Sequence, residues 1–454
     1  MFKVLVANRG EIALRVIRAL KEMSIASVAV YSEADRESPH VALADEAWCV
    51  GPGAAKESYL RGDRILTAAK ATQAQAIHPG YGFLSENDTF AADCEQSGIT
   101  FIGPKGNVLK KLANKSATKA MVAGAGVPVI PGSDHDVKNL TEAQGWVKTL
   151  GYPVLIKASF GGGGRGIYKV EDNSQLSRAW ELAEHEARSA TAHGELYLEK
   201  CLEDSRHVEV QVARDNQGKT QAFIERDCTI QRRNQKLVEE TPSPFVSPQV
   251  REKLLRAAAL AVEACAMTGL ATVEFLLLKD LKTFYFMEIN KRIQVEHPVT
   301  EELLDVDLVK LQINLALGQA MPKFDFPPLG KRHSMEVRIN TEDPKNNFLP
   351  TEGVLSFVSL PGGPGVRCDS YATAGLSVGT NYDSLLAKII CFTPEGRAQT
   401  IAKMKRALEE LAIDGVTTTR ALHQKLLQDP IFAGGDQWYS TRYMGEWIKN
   451  QNWS

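Results

Sequence analysis

The first hundred residues alternate between two patterns that together restrict the fold to one class. Patterns typical of helices, the clearest being "GEIALRVIRALKEM", separate short apolar runs that are typical of strands, "KVLVA", "ASVAVYS", "AIHPG" and "ITFIG". Strands that are separated by helices predict an α/β fold with a parallel sheet covered on both faces. Because the first turn, "ANRGE", lacks the G-x-G-x-x-G fingerprint, we expect a Rossmann-like subdomain that does not bind NAD.

Two later changes of pattern predict further domains. The length of 454 residues also does so, because one hydrophobic core rarely organises so long a chain. From about residue 113, a helix that ends at Gly and Pro precedes a strand, a glycine-rich loop and another strand. The connector "FDFPPLGKRH" then leads to short strands with turn signals and to the helix "GRAQTIAKMKRALEELAI". We therefore expect three domains, and the lack of internal repeats argues against a solenoid.

Charge and cysteine content exclude several classes of function. With 53 basic and 55 acidic residues the net charge is -2, whereas sequence-independent binding of nucleic acid phosphates needs a strongly basic surface. The seven cysteines are widely spaced and form no C-x-x-C pair, which is typical of reduced cytosolic thiols. No apolar run has the length of a signal peptide or a membrane span. We therefore expect a cytoplasmic protein with no nucleic acid and no membrane partner.

The run "SFGGGGRG" at residues 159–166 is the strongest local signal for a ligand. It is not a phosphate-binding P-loop, because it joins the strand-like "VLIKA" to "IYKV" and so predicts the tip of a hairpin. Four consecutive glycines expose backbone N–H groups and leave no side chain to block an anion, and Lys157 and Arg165 flank them. The alternative is a turn that is only flexible.

Two glutamates are more informative together than apart. The strand-like runs "TVEFLLL" and "TFYFMEIN" flank the polar turn "KDLK", and reflection about Leu281 places Glu274 opposite Glu288. Like charges directly across a strand pair are destabilising unless a cation compensates them. Carboxylates together with the amide of Asn290 offer the oxygen ligands that suit Mg²⁺. The alternative is a register shifted by one residue, which would put the two acids on opposite faces.

The stretch "MEINKRIQVEH" at residues 287–297 alternates polar and apolar residues as a strand does. In an extended chain five polar side chains would project from one face, namely those of Glu288, Asn290, Arg292, Gln294 and Glu296. An arginine can bind a planar oxyanion through paired hydrogen bonds, and a carboxylate beside it can accept a proton. The alternative is a half-buried strand with one solvated side.

Basic residues elsewhere are less specific. The segment "RDCTIQRRNQK" contains a cluster that suits either an anionic substrate or a solvated face, formed by Arg226, Arg232, Arg233 and Lys236. Arg338 in "MEVRINTED" is a single arginine on a predicted strand, and such residues more often form surface ion pairs than catalytic contacts.

Motifs along essentially the whole chain resemble those of the biotin carboxylase family, ATP-grasp enzymes that catalyse the first half-reaction of biotin-dependent carboxylases. These motifs are "ANRGEIALRVIRA", "HPGYGFLSEN", "IKASFGGGGRG", "YLEK", "RHVEVQV", "RDCTIQRRNQK", "INKRIQVEHPVTE", "RINTED" and "YDSLLAKI". The resemblance implies an α/β fold of the α+β ATP-grasp type. The implied domains are an N-terminal domain at 1–112, an ATP-grasp domain at 113–325 with a glycine-rich lid at about 131–201, and a β-rich C-terminal domain at 333–449.

The resemblance also implies the binding sites. The implied ATP contacts are Lys115, Lys157, Gly162, Gly163, Gly164, Glu199, Lys200, Leu202, His207, Gln231, Asn234, Leu276 and Glu288. The positions implied for Mg²⁺ or Mn²⁺ are Glu274, Glu288 and Asn290, and those for bicarbonate are Lys236, Arg292, Gln294, Val295 and Glu296. The implied biotin contacts are Tyr81 and Arg338, and the implied catalytic residues are Glu296 as general base with Arg292, Lys236 and Arg338.

The reaction that the resemblance implies begins when bicarbonate loses its proton to Glu296 and attacks the γ-phosphate of ATP. The resulting carboxyphosphate breaks down to CO2 and phosphate, the phosphate deprotonates the ureido N1′ of biotin, and biotin captures CO2. The implied partners are a biotin carboxyl carrier protein, a carboxyltransferase component and a second copy of the chain in a homodimer.

Several functional alternatives stay open. The final carboxyl acceptor could be acetyl-CoA, as in fatty acid biosynthesis, or propionyl-CoA, pyruvate or 2-oxoglutarate, because a separate carboxyltransferase makes that choice. A different ATP-grasp ligase is a second alternative, and a nucleotide-sensing module with an inactive site is a third.

Three positions qualify the resemblance. Asn234 stands where relatives commonly have His, and its amide can still hydrogen-bond a ribose hydroxyl. Lys291 stands where many relatives have Thr or Pro, and we expect it to point away from the site toward solvent or an acid, so that Lys291→Thr is nearly silent. Lys405 in "IAKMKRAL" lies on a predicted amphipathic helix, and no room for a carrier domain follows before Ser454, so we expect no attached biotin.

Overall fold

The N-terminal residues form the parallel sheet that the sequence predicts. The structure is a computed structural model that describes residues 2–161, 166–191 and 194–451, so Gly162, Gly163, Gly164 and Arg165 lie outside the described residues. The elements in chain order are β1 (Lys3–Val6), α1 (Gly10–Glu22), β2 (Ala26–Ser32), α2 (Pro39–Leu43), β3 (Glu46–Gly51), α3 (Gly62–Ala71), β4 (Ala76–His78), α4 (Asp88–Gln96), β5 (Thr100–Phe101) and α5 (Gly106–Lys111). All four strand pairs are parallel, in the order β3-β2-β1-β4-β5.

A smaller antiparallel sheet carries the glycine-rich loop. The elements of this region are α6 (Lys115–Gly124), α7 (Leu140–Leu150), β6 (Val154–Ala158), β7 (Ile167–Val170), α8 (Asn173–Thr191) and β8 (Leu196–Lys200). The central strand β6 pairs with β7 on one side and with β8 on the other. The pairing of Lys157 with Ile167 confirms the predicted hairpin, whose tip lies outside the described residues.

One continuous sheet of eight antiparallel strands follows, in the order β13-β12-β9-β10-β11-β14-β21-β19. Its first part consists of β9 (Ser205–Arg214), β10 (Thr220–Arg232), β11 (Gln235–Thr241), α9 (Pro248–Ala264), β12 (Gly269–Leu278), β13 (Phe284–Asn290), α10 (His297–Leu304) and α11 (Leu308–Ala316). Strands on both sides of the connector at 324–333 belong to this sheet, since β11 pairs directly with β14.

The C-terminal residues complete the eight-stranded sheet and add short strand pairs and helices. The elements are β14 (His333–Asn340), β15 (Glu342–Asp343), β16 (Leu349–Pro350), β17 (Gly353–Val354), β18 (Phe357–Ser359), β19 (Val366–Ser370), β20 (Ser377–Val378), β21 (Leu385–Thr393), α12 (Arg397–Glu410), β22 (Ala412–Asp414), α13 (Arg420–Leu426), α14 (Pro430–Gly434) and α15 (Tyr443–Lys449). Three short 3₁₀ turns lie at Glu33–Asp35, Ala55–Glu57 and Pro344–Asn346.

Alternation along the strands gives the eight-stranded sheet an apolar face and a charged face. The apolar face packs against α9 and α12, with core residues that include Val208, Val210, Val273, Phe275, Val337, Ile389, Leu254, Met404 and Leu408. The intervening residues point to the other face, which α10 covers by packing on β10, β11, β14 and β21. The charged face is therefore buried between the sheet and α10.

The hairpin of β12 and β13 has the register that the sequence predicts. Glu274 pairs with Glu288, and Leu281 lies in the turn with a φ of 56°. A bulge between Glu274 and Phe275 shifts the remaining pairs by one residue. Because the bulge lies on the turn side of Glu274, the two carboxylates stay directly opposite each other.

The predicted strand at 287–297 is wrong beyond Asn290, where β13 ends. The next backbone N–H, that of Lys291, donates to the Glu86 carboxylate at 2.9 Å and is not bonded to a neighbouring strand. The chain then turns into α10, with Glu296 at the N-cap and Pro298 in the first turn. After Asn290 the polar side chains contact groups on other elements. Their alternation along the sequence therefore resembles the pattern of a strand, although no strand forms there.

Two further expectations concern helices. Lys405 lies on α12, whose buried side chains include Ile401, Met404 and Leu408, as the amphipathic pattern predicts. Among the described residues, no helix combines the length and the apolar character needed to cross a membrane.

An ion pair between the eight-stranded sheet and α12 generates a pH prediction. Glu240 accepts from Arg397 Nε at 2.6 Å and lies 3.0 Å from His333 Nε2. Burial favours the neutral acid, but Arg397 and His333 outweigh it and lower the pKa of Glu240 from 4.5 to about 2. Since the folded pKa is depressed, this pair stabilises the protein above the unfolded pKa, and its contribution disappears as pH falls through the folded pKa.

We therefore expect Glu240→Gln to reduce the free energy of unfolding by roughly 3 kcal/mol near neutral pH, with a difference that shrinks toward acid. Urea unfolding of both proteins at about pH 7 and about pH 3 measures this. A difference that is the same at both pH values would contradict it.

Candidate active site

The charged face of the eight-stranded sheet gathers ionisable side chains from seven strands. They are His207 and Glu209 on β9, Arg226 on β10, Lys236 and Glu239 on β11, Glu274 on β12, Glu288 on β13, Glu336 and Arg338 on β14, and Lys388 on β21. Most of them are buried. Because an unpaired buried charge costs several kcal/mol, the pairing of these groups determines which of them are charged and which ligands the site can bind.

Lys236 is at the centre of this arrangement. Its Nζ donates to Glu209 Oε2 at 2.6 Å, to Glu274 Oε1 at 3.1 Å and to Glu296 Oε1 at 2.6 Å. Burial disfavours the ammonium, but the three carboxylates outweigh it and raise the pKa of Lys236 well above its ordinary value. Lys236 is therefore a permanent cation that an entering anion would share with three acids.

Glu296 links Lys236 to Arg338. Its side chain is fully buried, and its Oε2 accepts from Arg338 Nη2 at 2.9 Å. Burial favours the neutral acid, yet the positive charges of Lys236, Arg338 and Arg226 hold the pKa of Glu296 well below its usual range. Glu296 is thus ionised, and a second anion that draws these cations toward itself would raise its affinity for a proton.

Three of the residues expected to bind an oxyanion, Arg292, Gln294 and Val295, lie in the segment between β13 and Glu296. Arg292 Nη1 donates to Gln294 Oε1 at 3.1 Å, and the guanidinium is partly accessible. The Val295 carbonyl accepts from Lys388 Nζ at 2.8 Å, which fixes the backbone just before Glu296. A turn, instead of the predicted strand, therefore places Arg292 against Gln294 and the Val295 carbonyl against Lys388, while Lys236 reaches Glu296 from β11.

Glu274 and Glu288 offer oxygen ligands at the end of the same face. Basic side chains surround both acids, since Lys236 Nζ lies 3.1 Å and His207 Nε2 3.3 Å from Glu274, while Lys115 Nζ lies 3.0 Å from Glu288. Asn290 Nδ2 donates to Glu274 at 2.9 Å. Two carboxylates and an amide oxygen are the donor set that Mg²⁺ or Mn²⁺ prefers, so the residues present fit such an ion.

Residues expected to bind ATP fall into two groups. Near the charged face, His207 Nδ1 lies 2.7 Å from Gln231 Nε2, and Leu276 pairs with His207 across the strands. In the small sheet, the buried Glu199 accepts from Lys157 at 2.6 Å and from Lys119 at 2.8 Å.

Three of the expected ATP residues are placed less directly. Lys200 Nζ donates to the carbonyls of Gly151 and Tyr152, at 3.0 and 2.8 Å. Leu202 is half-buried, and Asn234 is exposed in the β10–β11 turn, where its φ of 64° suits an asparagine. The glycines 162, 163 and 164 lie outside the described residues.

Tyr81 and Arg338 lie at the opposite end of the charged face from Lys115. The Tyr81 hydroxyl donates to Glu11 in a short contact, and Glu11 lies 3.1 Å from Lys388 Nζ. Burial raises the pKa of Tyr81 well above its ordinary value, and the nearby Glu11 adds to this. Tyr81 is thus a neutral hydrogen-bonding group next to the cationic Arg338.

The predicted basic cluster does not form one anion site. Arg226 is fully buried and donates to Glu209, to Gln211 at 3.0 Å and to Thr272 and Thr300 at 3.1 Å. Arg232 and Arg233 instead contact Asn347 on the C-terminal side. Arg226 and Lys236 both reach the charged face, whereas Arg232 and Arg233 do not, because the bulges in β10 separate the side chains that the sequence places together.

Lys291 pairs with an acid, as expected, but that acid also contacts a residue of the site. Its Nζ lies 3.3 Å from Glu86, and 12% of its side chain is exposed. Arg292 Nε lies 3.5 Å from the same Glu86 carboxylate. Burial raises the pKa of Glu86, but Lys291 and Arg292 outweigh it and lower that pKa. Lys291 therefore shares its partner with the arginine of the anion site.

Three site residues escaped the sequence interpretation. Glu209 alternates with His207 in "RHVEVQV", and Lys119 follows Lys115 by one helical turn, so local spacing could have found both. Glu86 carries no local signal, because its contact with Lys291 joins residues 205 positions apart.

Three family models match the chain in order. Residues 1–109 match the biotin carboxylase N-terminal domain, residues 114–324 the ATP binding domain of the carbamoyl-phosphate synthase L chain, and residues 336–446 the biotin carboxylase C-terminal domain. Together these matches span nearly all of the chain.

Individual relatives match over almost the full length. Biotin carboxylase 1 of Bacillus subtilis is 46% identical over 442 residues, 97% of this chain and 98% of that protein. A pyruvate carboxylase subunit of Methanothermobacter thermautotrophicus is 46% identical over 435 residues, 96% of this chain and 88% of that protein. The solved biotin carboxylase domain dimer of Hydrogenobacter thermophilus 2-oxoglutarate carboxylase, in complex with MgADP, ADP and bicarbonate, has a TM-score of 0.93 at 43% identity and covers 99% of both chains.

The contacts of Arg226 predict a structural role for this residue. Arg226→Met should lower the free energy of unfolding by about 3–5 kcal/mol, because Glu209 stays buried and keeps only Lys236, a cation that it shares with two other acids. The double variant Arg226→Met/Glu209→Gln should recover most of the loss, since it removes the buried charge as well. Urea unfolding of the four proteins in this cycle measures the coupling. Losses that simply add would contradict the pairing.

Proposed function

The chain belongs to the biotin carboxylase family, and from this premise we propose how its residues carry out ATP- and bicarbonate-dependent carboxylation of biotin on a separate carrier protein. The enzyme is an ATP-dependent ligase. The observation that carries the assignment of roles is the contact of one buried carboxylate, Glu296, with both Lys236 and Arg338. This contact joins a potential base to two cations that can hold the anionic reactants.

Bicarbonate binding is the first step that the residues support. Its planar oxyanion can take paired hydrogen bonds from Arg292, with Gln294 and the Val295 backbone beside it and Lys236 behind it. Because bicarbonate then shares Lys236, the pKa of Glu296 rises from its depressed value and Glu296 can accept the bicarbonate proton. The bicarbonate oxygen attacks the γ-phosphorus, ADP leaves, and carboxyphosphate forms.

Biotin carboxylation follows at the Arg338 end of the site. Carboxyphosphate breaks its C–O bond to give CO2 and phosphate, and the phosphate takes the N1′ proton of biotin. Negative charge then develops on the ureido oxygen, and the Arg338 guanidinium is the group that can stabilise it. Tyr81 borders this end, and N1′ forms its bond to CO2.

The nucleotide and its metal belong to the opposite end. We propose that Lys115, Lys157, His207 and the glycine loop contact phosphates or ribose, while Glu199, Lys200, Leu202, Gln231 and Leu276 border the adenine. Glu274, Glu288 and Asn290 would hold Mg²⁺ or Mn²⁺, which supplies charge neutralisation for the γ-phosphate when bound. The exposed Asn234 is the least direct member of this set, because it must reach the ribose from the β10–β11 turn.

The wider assembly is part of the proposal. We propose domains at 1–112, 113–325 and 333–449, a homodimer, a biotin carboxyl carrier protein and a carboxyltransferase component as partners. The seven cysteines are free, which supports a reducing, cytoplasmic location. Acetyl-CoA and pyruvate are both candidate acceptors, because Biotin carboxylase 1 of Bacillus subtilis and the pyruvate carboxylase subunit are each 46% identical to this chain. Identification of the carboxyltransferase that co-purifies with the chain decides between them.

The role of Glu296 gives the central kinetic prediction. Glu296→Gln should lower bicarbonate-dependent ATP cleavage by about 100-fold or more, because the amide keeps the shape and cannot accept a proton. ATP affinity, measured by calorimetry, should stay unchanged. Glu263→Gln, an exposed glutamate on α9, is the matched control and should behave as wild type. Retention of more than about a tenth of wild-type turnover by Glu296→Gln would rule out the base assignment.

The alternation in the sequence predicts that Lys291→Thr is nearly silent. The carboxylate of Glu86, which Lys291 shares with Arg292, predicts a measurable effect instead. In Lys291→Thr, Arg292 is the only side chain among the described residues that still forms an ion pair with Glu86, which draws Arg292 away from the anion site. The KM for bicarbonate should rise about fivefold, with the KM for ATP unchanged, which corresponds to roughly 1 kcal/mol for one partly buried ion pair. Lys310→Thr removes a lysine 2.5 Å from Glu22 on α1 and is the control. An unchanged bicarbonate KM would show that Lys291 leaves Arg292 unaffected.

A further inference from the structure

Two buried glutamates behind Arg338 take no part in the reaction as derived above. Glu239 on β11 and Glu336 on β14 are direct partners across the antiparallel pair, and both are fully buried. Side chains directly opposite each other in such a pair project to the same face with their Cβ atoms about 5 Å apart. Two carboxylates so placed repel each other strongly unless cations or protons compensate them.

The hydrogen bonds of the two glutamates are unequal. Glu239 Oε1 accepts from Arg338 Nε at 2.7 Å and also contacts Nη2. In the part of the chain that the structure describes, Glu239 Oε2 and both carboxyl oxygens of Glu336 have no hydrogen-bond partner. A buried ionised carboxylate without a partner is far more costly than a neutral acid.

The cations that face this pair are already committed. Arg338 is shared by Glu239 and Glu296, and Lys236 is shared by three other acids. Lys388 on β21 contacts Glu11 at 3.1 Å and donates to the Val295 carbonyl at 2.8 Å. The acids Glu239, Glu296 and Glu336 therefore outnumber the positive charge available to them.

We propose that Glu239 and Glu336 share one proton in the resting enzyme, and that this pair positions Arg338 beside Glu296. Glu336 carries the proton and Glu239 keeps the negative charge, because only Glu239 contacts a cation among the described residues. Burial raises the pKa of Glu336 well above its ordinary value, since Lys388 and Arg338 only partly offset it and Glu239 and Glu296 raise it further.

The shared proton has a consequence for the reaction, and this part rests on the proposed function. With one negative charge behind it, Arg338 is held between Glu239 and Glu296 and still has a donor to offer the biotin ureido oxygen. A second charge on Glu336 would draw the guanidinium deeper and away from biotin. Glu239 and Glu336 are thus positioning residues that act through Arg338.

Infrared spectroscopy of the full-length protein tests the proton directly and needs no activity. Near neutral pH the wild type should show the carbonyl stretch of a buried protonated carboxylic acid that disappears in the difference spectrum against Glu336→Gln, a comparison that is needed because burial also raises the pKa of Glu11 and of Glu225. The control Glu352→Gln, which removes an exposed carboxylate, should keep it. If Glu336→Gln fails to fold, Glu336→Met serves the same assignment. Absence of the band in the wild type, or equal intensity of the band in wild type and Glu336 variant, would overturn the proposal.

Kinetics test the effect on Arg338 separately. Glu336→Gln reproduces the neutral acid, so its KM for biotin should stay within about twofold of wild type at neutral pH. Glu239→Gln should raise the KM for biotin about tenfold, because it removes a charge-assisted hydrogen bond to Arg338. The KM for ATP should change in neither variant, whereas a general loss of structure would change it as well. A tenfold rise in Glu336→Gln would overturn the shared proton. If the infrared band is present and no biotin-dependent turnover occurs, the proposed function fails while the proton pair stands.

Discussion

Neutralisation of acids on the buried face of the eight-stranded sheet governs both the fold and the site. Lys236 contacts Glu209, Glu274 and Glu296, and Arg338 contacts Glu296 and Glu239. These cations come from β11 and β14, which are neighbours only because the C-terminal strands join the same sheet. The apolar faces that pack on α9 and α12 supply the burial that makes these ion pairs strong.

The excess of carboxylates over cations on this buried face explains why the site can activate an anionic substrate. Cations that already share several carboxylates can turn toward an incoming anion, and each such shift raises the proton affinity of the acid left behind. Glu296 gains from this most, because both of its oxygens contact such cations. The same arrangement of charges therefore gives Glu296 low basicity in the resting enzyme and higher basicity once the anion is bound.

Local patterns were sufficient to predict several parts of the molecule. The parallel N-terminal sheet and the hairpin around the glycine loop follow from strand and helix periods that extend over a few residues. The opposition of Glu274 and Glu288 follows from one turn at Leu281, which fixes the register. The family motifs added residues such as Arg338 that no local pattern distinguishes from a surface arginine.

The remaining features depend on strand order, which short sequence windows do not encode. Arg226 reads as part of a basic cluster, yet its partner Glu209 lies on the adjacent strand β9. Lys291 falls on the apolar phase of an alternation, yet Glu86 reaches it from the N-terminal region. Glu239 and Glu336 meet across β11 and β14. In each case the partner is distant in sequence, and only the assembled sheet determines it.

The most direct measurement follows an oxygen atom from bicarbonate. When bicarbonate that is deprotonated by Glu296 attacks the γ-phosphorus, the attacking oxygen stays on phosphorus as the C–O bond of carboxyphosphate breaks. Turnover in ¹⁸O-labelled bicarbonate with free biotin, followed by mass analysis of the released phosphate, should find one ¹⁸O atom in each phosphate. Phosphate without ¹⁸O would mean that water attacks ATP, and it would contradict this mechanism.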